Sequence, residues 1–165
     1  MDYLILDILL KIFGRLNLPN QLSFRSTSKY FQEKCQITNL SHDENTYKLN
    51  NKILTQYPHI IQLDADNNPK IRDISSMTQL MTLHCRGRSG INNDSLLHLT
   101  NLTSLYFSNN YKIYDINHLT KLQQLDIRGN CKINGNGISF LTNLQRLSVV
   151  DNIVINDINL FTNLI

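Results

Sequence analysis

The chain has no tryptophan, only three cysteines, and no run of lysine or arginine anywhere in its 165 residues. Each shortage removes a class of function. Its 16 basic and 13 acidic residues leave a formal net charge of +3, spread along the sequence with no cluster that would track a phosphate backbone, so nucleic acid is not an expected partner. Cys35, Cys85 and Cys131 are odd in number and far apart, which fits neither a disulfide framework nor zinc-ligand spacing, and they are expected to be reduced. There is no H-E-x-x-H, no G-x-S-x-G and no phosphate loop, and Gly135-Asn136-Gly137 marks a turn. No nucleophile, base and oxyanion donor can be assembled, so the chain does not read as an enzyme, and no cofactor or metal ion is assigned to it.

A leader is also missing. The opening MDYLILDILLKIFG is apolar, but Asp7 and Lys11 interrupt it within two turns, Asp2 stands where a leader would be basic, and no small-residue cleavage site follows. The expected address is cytosolic or nuclear, without a membrane, and the sequons beginning at Asn39, Asn93 and Asn101 are then expected to stay unglycosylated.

What is present is a folded composition, 41% hydrophobic and 18% charged, with asparagine unusually frequent. The length suits one ordinary domain, or a small helical module joined to a short solenoid. Self-similarity favours the second. The phrase L-x-x-L-x-L-x-x-N, with substitutions, starts at Ile60, Leu80, Leu102, Leu122 and Leu144, and a sixth copy opens at Leu164. Intervals alternate between 20 and 22 residues, so the true unit is a 42-residue pair.

The first, fourth and sixth places are apolar in every copy, as in Leu102, Leu105 and Phe107 or Leu122, Leu125 and Ile127. The last two of each trio have the period of a strand with one buried face, and five such strands are expected to stack in parallel. The ninth place is Asn68, Arg88, Asn110, Asn130 and Asn152. An asparagine amide both donates and accepts, so a ladder of them can satisfy buried turns, with Arg88 as its one break. On the return path, copies one, three and five space their apolar residues by three, with Asp73, Asp115 or Asp157 before the second, which suits tight turns. Copies two and four insert two residues, room for about one helical turn.

The strand residues that alternate with the buried ones form three columns. They are Gln62, Thr82, Ser104, Gln124 and Arg146; Asp64, His84, Tyr106, Asp126 and Ser148; and Asp66, Arg86, Ser108, Arg128 and Val150. This face is polar and carries both charge signs. Either Asp66 and Arg86, or Asp126 and Arg128, simply neutralise each other, or Tyr106 and the arginines read a protein surface, being residue types enriched at binding hot spots. His98 and His118 hold equivalent places in adjacent copies. A metal pair there is conceivable, and polar filler is the plainer reading.

These copies resemble the leucine-rich repeat family over residues 58–165. The resemblance implies a right-handed solenoid whose parallel strands line a concave ligand-binding face. An earlier weak copy, Ile37, Leu40, His42 and Asn45, reads equally as a cap or as part of an irregular linker over residues 41–57. At the other end the opened sixth copy presents an uncapped edge, expected either to belong to a longer form or to be covered by another chain.

Before the repeats, Ile5, Ile8, Leu9, Ile12, Phe13 and Leu16 make one helical stripe, while Leu4, Leu6 and Leu10 lie off it. A helix this apolar is covered on two sides, and leaving Leu6 and Leu10 in water would forgo roughly 1.5–3 kcal/mol each. Pro19 suits the first turn of a second helix and Ser28 the N-cap of a third. Over about residues 3–40 the stretch Asp7-Ile8-Leu9-Leu10-Lys11-Ile12-Phe13, with Leu16, Leu22 and Thr27-Ser28-Lys29-Tyr30-Phe31, resembles the F-box family. That family usually has Leu-Pro where this chain has Leu4-Ile5, and valine where Thr27 stands.

The joint expectation is an α/β protein, with a small all-α three-helix module over residues 1–40 followed by the solenoid. An F-box implies docking on the adaptor subunit of a cullin-type ubiquitin ligase, here through Leu4, Ile5, Ile8, Leu9, Phe13 and Pro19, while the concave face takes an unknown target protein through Asp64, Asp66, His84, Arg86, Tyr106, Asp126, Arg128 and Arg146. The alternative is a repeat scaffold whose N-terminal helices are only a hydrophobic cap.

Overall fold

Three-residue strands occur where the sequence sets two apolar residues on one face. A computed structural model describes residues 20, 21, 25, 38–40, 49–57, 59–155, 157–159 and 161–165. In it β2 (Gln62–Asp64), β3 (Thr82–His84), β4 (Ser104–Tyr106), β5 (Gln124–Asp126) and β6 (Arg146–Ser148) follow β1 (Asn39–Leu40) in one six-stranded sheet, ordered as in the chain. Every pair is parallel, and the register aligns Leu40, Leu63, Leu83, Leu105, Leu125 and Leu147. This is the expected coil of parallel strands. Fourth-place and sixth-place side chains such as Leu83, Cys85, Leu105 and Phe107 are wholly buried, and the return-path residues Ile71, Ile91, Ile113 and Ile133 close the core from the other side.

The earlier weak copy joins the array: β1 pairs with β2, Leu40 is buried, and a short helix α1 (Asn51–Leu54) follows, capped by the Asn50 side chain. Residues 41–48, the greater part of the stretch read as cap or linker, lie outside the described residues. His42 and Asn45 lie outside the described residues, as do Leu4, Ile5, Ile8, Leu9, Phe13 and Pro19; Asn20, Gln21 and Arg25 are helical.

After each strand the eighth place is left-handed in all five copies: Asn67 (φ 52°), Gly87 (59°), Asn109 (59°), Gly129 (71°) and Asp151 (60°). Asparagine, aspartate and glycine are the residues that tolerate this region. At the ninth place Asn68, Asn110 and Asn152 are buried. Their amides donate to the carbonyls of Leu49, of Cys85 and Ile91, and of Ile127, respectively. Their carbonyl oxygens accept from the backbone two residues on.

The expected ladder needs one correction, because Asn130 is exposed and takes no part in it. In copies two and four the buried group falls one place later, at Ser89 and Cys131. The reason lies in the preceding copy. The Asn67 side-chain oxygen accepts from the Arg88 N–H at 3.2 Å, and that of Asn109 from the Asn130 N–H at 3.0 Å, which holds the ninth residue at the surface. Cys131 then supplies the donor, its Sγ lying 3.4 Å from the Phe107 carbonyl, the sixth-place group that Asn110 and Asn152 serve in their own predecessors.

The return paths differ as expected. Asp73, Asp115 and Asp157 each accept from the N–H two residues on, closing tight turns. The two extra residues of the even copies make α2 (Asn93–Leu96), with a reciprocal Asn92–Ser95 cap, and a 3₁₀ turn (Gly135–Ile138) capped by Asn134. Cys85 and Cys131 are free thiols, and burial pushes both above the usual thiol range, Cys85 far above it. Among the described residues no helix is long and apolar enough to cross a membrane.

Candidate functional site

Side chains that alternate with the buried leucines stand on the open face of the sheet, and parallel register turns the sequence columns into rows of neighbours. In the second column Asp64 lies opposite His84, His84 opposite Tyr106, and Tyr106 opposite Asp126. His84 stacks on Tyr106 with centroids 4.4 Å apart and planes 19° from parallel. Arg86 sits 5.2 Å from the same ring, and the Tyr106 hydroxyl donates to Gln124 at 2.9 Å. The expected target-face residues Asp64, Asp66, His84, Arg86, Tyr106, Asp126 and Arg128 are therefore one connected cluster. Arg146 stands beside it, exposed and without an ion pair among the described residues.

Neutralisation within this face is real. Arg86 reaches Asp66 at 3.3 Å and Asp126 at 3.5 Å, and Arg128 holds Asp126 at 2.8 Å. Asp126 belongs two strands beyond Arg86, and the short Ser108 between them leaves the guanidinium room to span the gap. Ser108 also donates to Asp126. The Arg86 Nε is buried and has no hydrogen-bond partner among the described residues. A cavity of about 620 Å³ opens beside Arg86, Ser108, Arg128 and Asp151, and a smaller one of about 220 Å³ is lined by Tyr106, Asp126 and Arg146.

Burial alone would raise the Asp126 carboxyl, but hydrogen bonds from Arg128 and Ser108, with the Arg128 charge, overcome it and set the pKa at about 2. Because this is below the unfolded value near 3.8, the stabilisation is complete above that value and is lost as pH falls through about 2. Asp126→Asn is therefore expected to remove about 2 kcal/mol of stability at pH 7, a difference that narrows as pH falls from 4 toward 2. Urea unfolding across that range measures it. A gap that stays constant with pH would contradict the assignment.

The His118 Nε2 lies 3.0 Å from the Leu96 carbonyl, and His98 is exposed. The fold also brings together a group of three. Asp64, Asp66 and His84 each bring a ligand-type atom within 4.8 Å of the others. Metal-site spacing rules applied along the chain missed it, since 20 residues separate Asp64 from His84; reading down the aligned columns would have found it.

A family model for the F-box domain matches residues 2–42. Internalin C2 from Listeria monocytogenes is 27% identical, with a TM-score of 0.56 over 70% of this chain and 53% of that one. The functional domain of InlJ from the same organism is 17% identical, with a TM-score of 0.36 over 78% of this chain and 47% of that one. The chain thus spans about half the length of these solved structures. No curated protein matches it. The chain is thus similar to the F-box family over residues 2–42, and its described repeats form a coil of parallel strands like that of internalin C2.

Proposed function

We propose that the protein is the substrate-recognition subunit of an F-box-dependent ubiquitin ligase in the cytosol or nucleus. The N-terminal residues dock on the ligase's adaptor subunit, and the open face of the sheet recruits a target protein. The chemistry of ubiquitin transfer belongs to other subunits, and this chain contributes binding surfaces only.

The observation that carries the reading is the F-box match over residues 2–42, adjoining a repeat sheet whose open face is polar and organised. The match covers every residue assigned to the adaptor contact, from Leu4 and Ile5 to Pro19. On the target side, Tyr106 and Arg128 are the anchors. Tyr106 is fixed by His84, Arg86 and Gln124, so little rotamer freedom remains to be lost on binding. Arg128 keeps half of its side chain in solvent, at 51%.

The test is co-purification of the full chain with a ubiquitin-ligase adaptor subunit. Wild type is expected to retain the adaptor, and Ile8→Asp with Phe13→Asp to lose it, at least about 100-fold in affinity, since each buries a charge in an apolar contact. Tyr106→Ala is expected to keep adaptor binding intact. A wild-type chain that retains no adaptor would leave a repeat scaffold with a helical cap.

A further inference from the structure

We propose that Asp64, Asp66 and His84 form a binding site for a divalent transition-metal ion of the zinc type on the N-terminal half of the sheet's open face. The proposal concerns the solenoid alone and does not depend on the ubiquitin-ligase reading. One ligand atom from each residue lies within 4.8 Å of the other two. A zinc-type ion bonded at about 2.0–2.2 Å sets neighbouring ligand atoms roughly 3–4 Å apart, so small side-chain rotations close the site.

Two observations beyond this proximity point to a cation. Asp64 is only 9% exposed, yet among the described residues its carboxylate has a single hydrogen bond, from the Asp66 N–H to Oδ1 at 2.9 Å. Among the described residues no basic side chain pairs with it, whereas Asp66 and Asp126 both have an arginine. A carboxylate withdrawn from water to that degree is costly unless a positive charge meets it. His84, directly opposite in the register, has no hydrogen-bond partner for either ring nitrogen among the described residues, while its ring is held flat on Tyr106. An imidazole with an uncommitted lone pair and a fixed plane is a prepared ligand.

Charge settles the sign of the ligand. Of the two carboxylates only Asp66 has an arginine among the described residues, Arg86, and that arginine has Asp126 as a second partner at 3.5 Å. If a metal ion takes Asp66 Oδ2, the Arg86 guanidinium keeps Asp126 and the Arg86 N–H keeps its 2.6 Å bond to Asp66 Oδ1. Mixed imidazole and carboxylate donors select zinc-like ions over magnesium or calcium, which prefer all-oxygen sites. Three protein ligands leave a fourth tetrahedral position for water or for a donor group of a bound polypeptide.

Zinc chloride titrated calorimetrically into the full chain tests this, with Asp64→Asn, His84→Gln and His118→Gln in parallel. One ion per chain is expected. Affinity should fall at least about tenfold in both Asp64→Asn and His84→Gln, and stay unchanged in His118→Gln. Absence of saturable zinc binding, or undiminished affinity in either of the first two variants, overturns the proposal. Should those variants fail to fold, cobalt(II) loaded into wild type decides: a spectrum of nitrogen and oxygen ligation supports the site, and a thiolate charge-transfer band, which would place the ion on cysteine, overturns it.

Discussion

Asn110→Ala is expected to lower the unfolding free energy by about 3–5 kcal/mol, enough to remove a large share of the stability of a chain this size. Asn110 is wholly buried. Its amide donates to the carbonyls of Cys85 at 2.9 Å and Ile91 at 3.2 Å, and its oxygen accepts from the Lys112 N–H at 3.0 Å. Alanine would strand all three backbone groups at the inside of a turn. Each such loss costs roughly 1–3 kcal/mol. Asn130→Ala, at the same place in the next copy, is expected to change stability by less than about 0.5 kcal/mol, because Asn130 is exposed and only its backbone is engaged. Urea unfolding of the two variants side by side is the measurement. Equal losses would mean that the buried ladder does not alternate.

The second large effect is expected at Gly129. Its φ of +71° is a region that an L side chain enters at about 1–2 kcal/mol. A Cβ there would also meet the Asn109 side-chain oxygen at 2.3 Å. Moving Asn109 aside breaks its bond to the Asn130 N–H, worth about 1 kcal/mol. Gly129→Ala should therefore cost about 2–3 kcal/mol in all. Asn109→Gly keeps the left-handed turn at residue 109 and clears the space, so in that background Gly129→Ala should cost only its backbone share, about 1–2 kcal/mol. Gly135→Ala is the control, with no atom within 4 Å of the added Cβ and no left-handed φ; it is expected to be neutral or slightly stabilising. Thermal and urea unfolding of the four variants checks the coupling, and strict additivity would contradict the packing of Asn109 over Gly129.

The pairing of Asn109 with Gly129 also shows where sequence reading stops short. The 42-residue period is visible in the spacing, and its alternation of return paths follows from two inserted residues. That an asparagine in one copy requires a glycine in the next is not visible, because the requirement arises only when the two turns lie against each other. The displaced ladder is the same case. Asn130 has the residue type of its place, yet the Asn109 side chain holds its backbone at the surface, and Cys131 moves in to meet the Phe107 carbonyl instead.

Sequence alone determined the strands, their parallel stacking, the buried fourth and sixth places and the three open columns, since all of these are periodic and period is a local property of the chain. It also carried the F-box likeness, in a stretch of consecutive residues that keep their order whatever the rest of the molecule does. The columns also paired Asp66 with Arg86 and Asp126 with Arg128, and tertiary structure decided how these groups share their partners. Arg86 is shared between Asp66 and Asp126 because Ser108 leaves the gap open, and Asp64 stands against His84 because the register of β2 and β3 is set by Leu63 and Leu83 below them. Such meetings depend on distances across repeats, which packing of the apolar face fixes and no single stretch of sequence records.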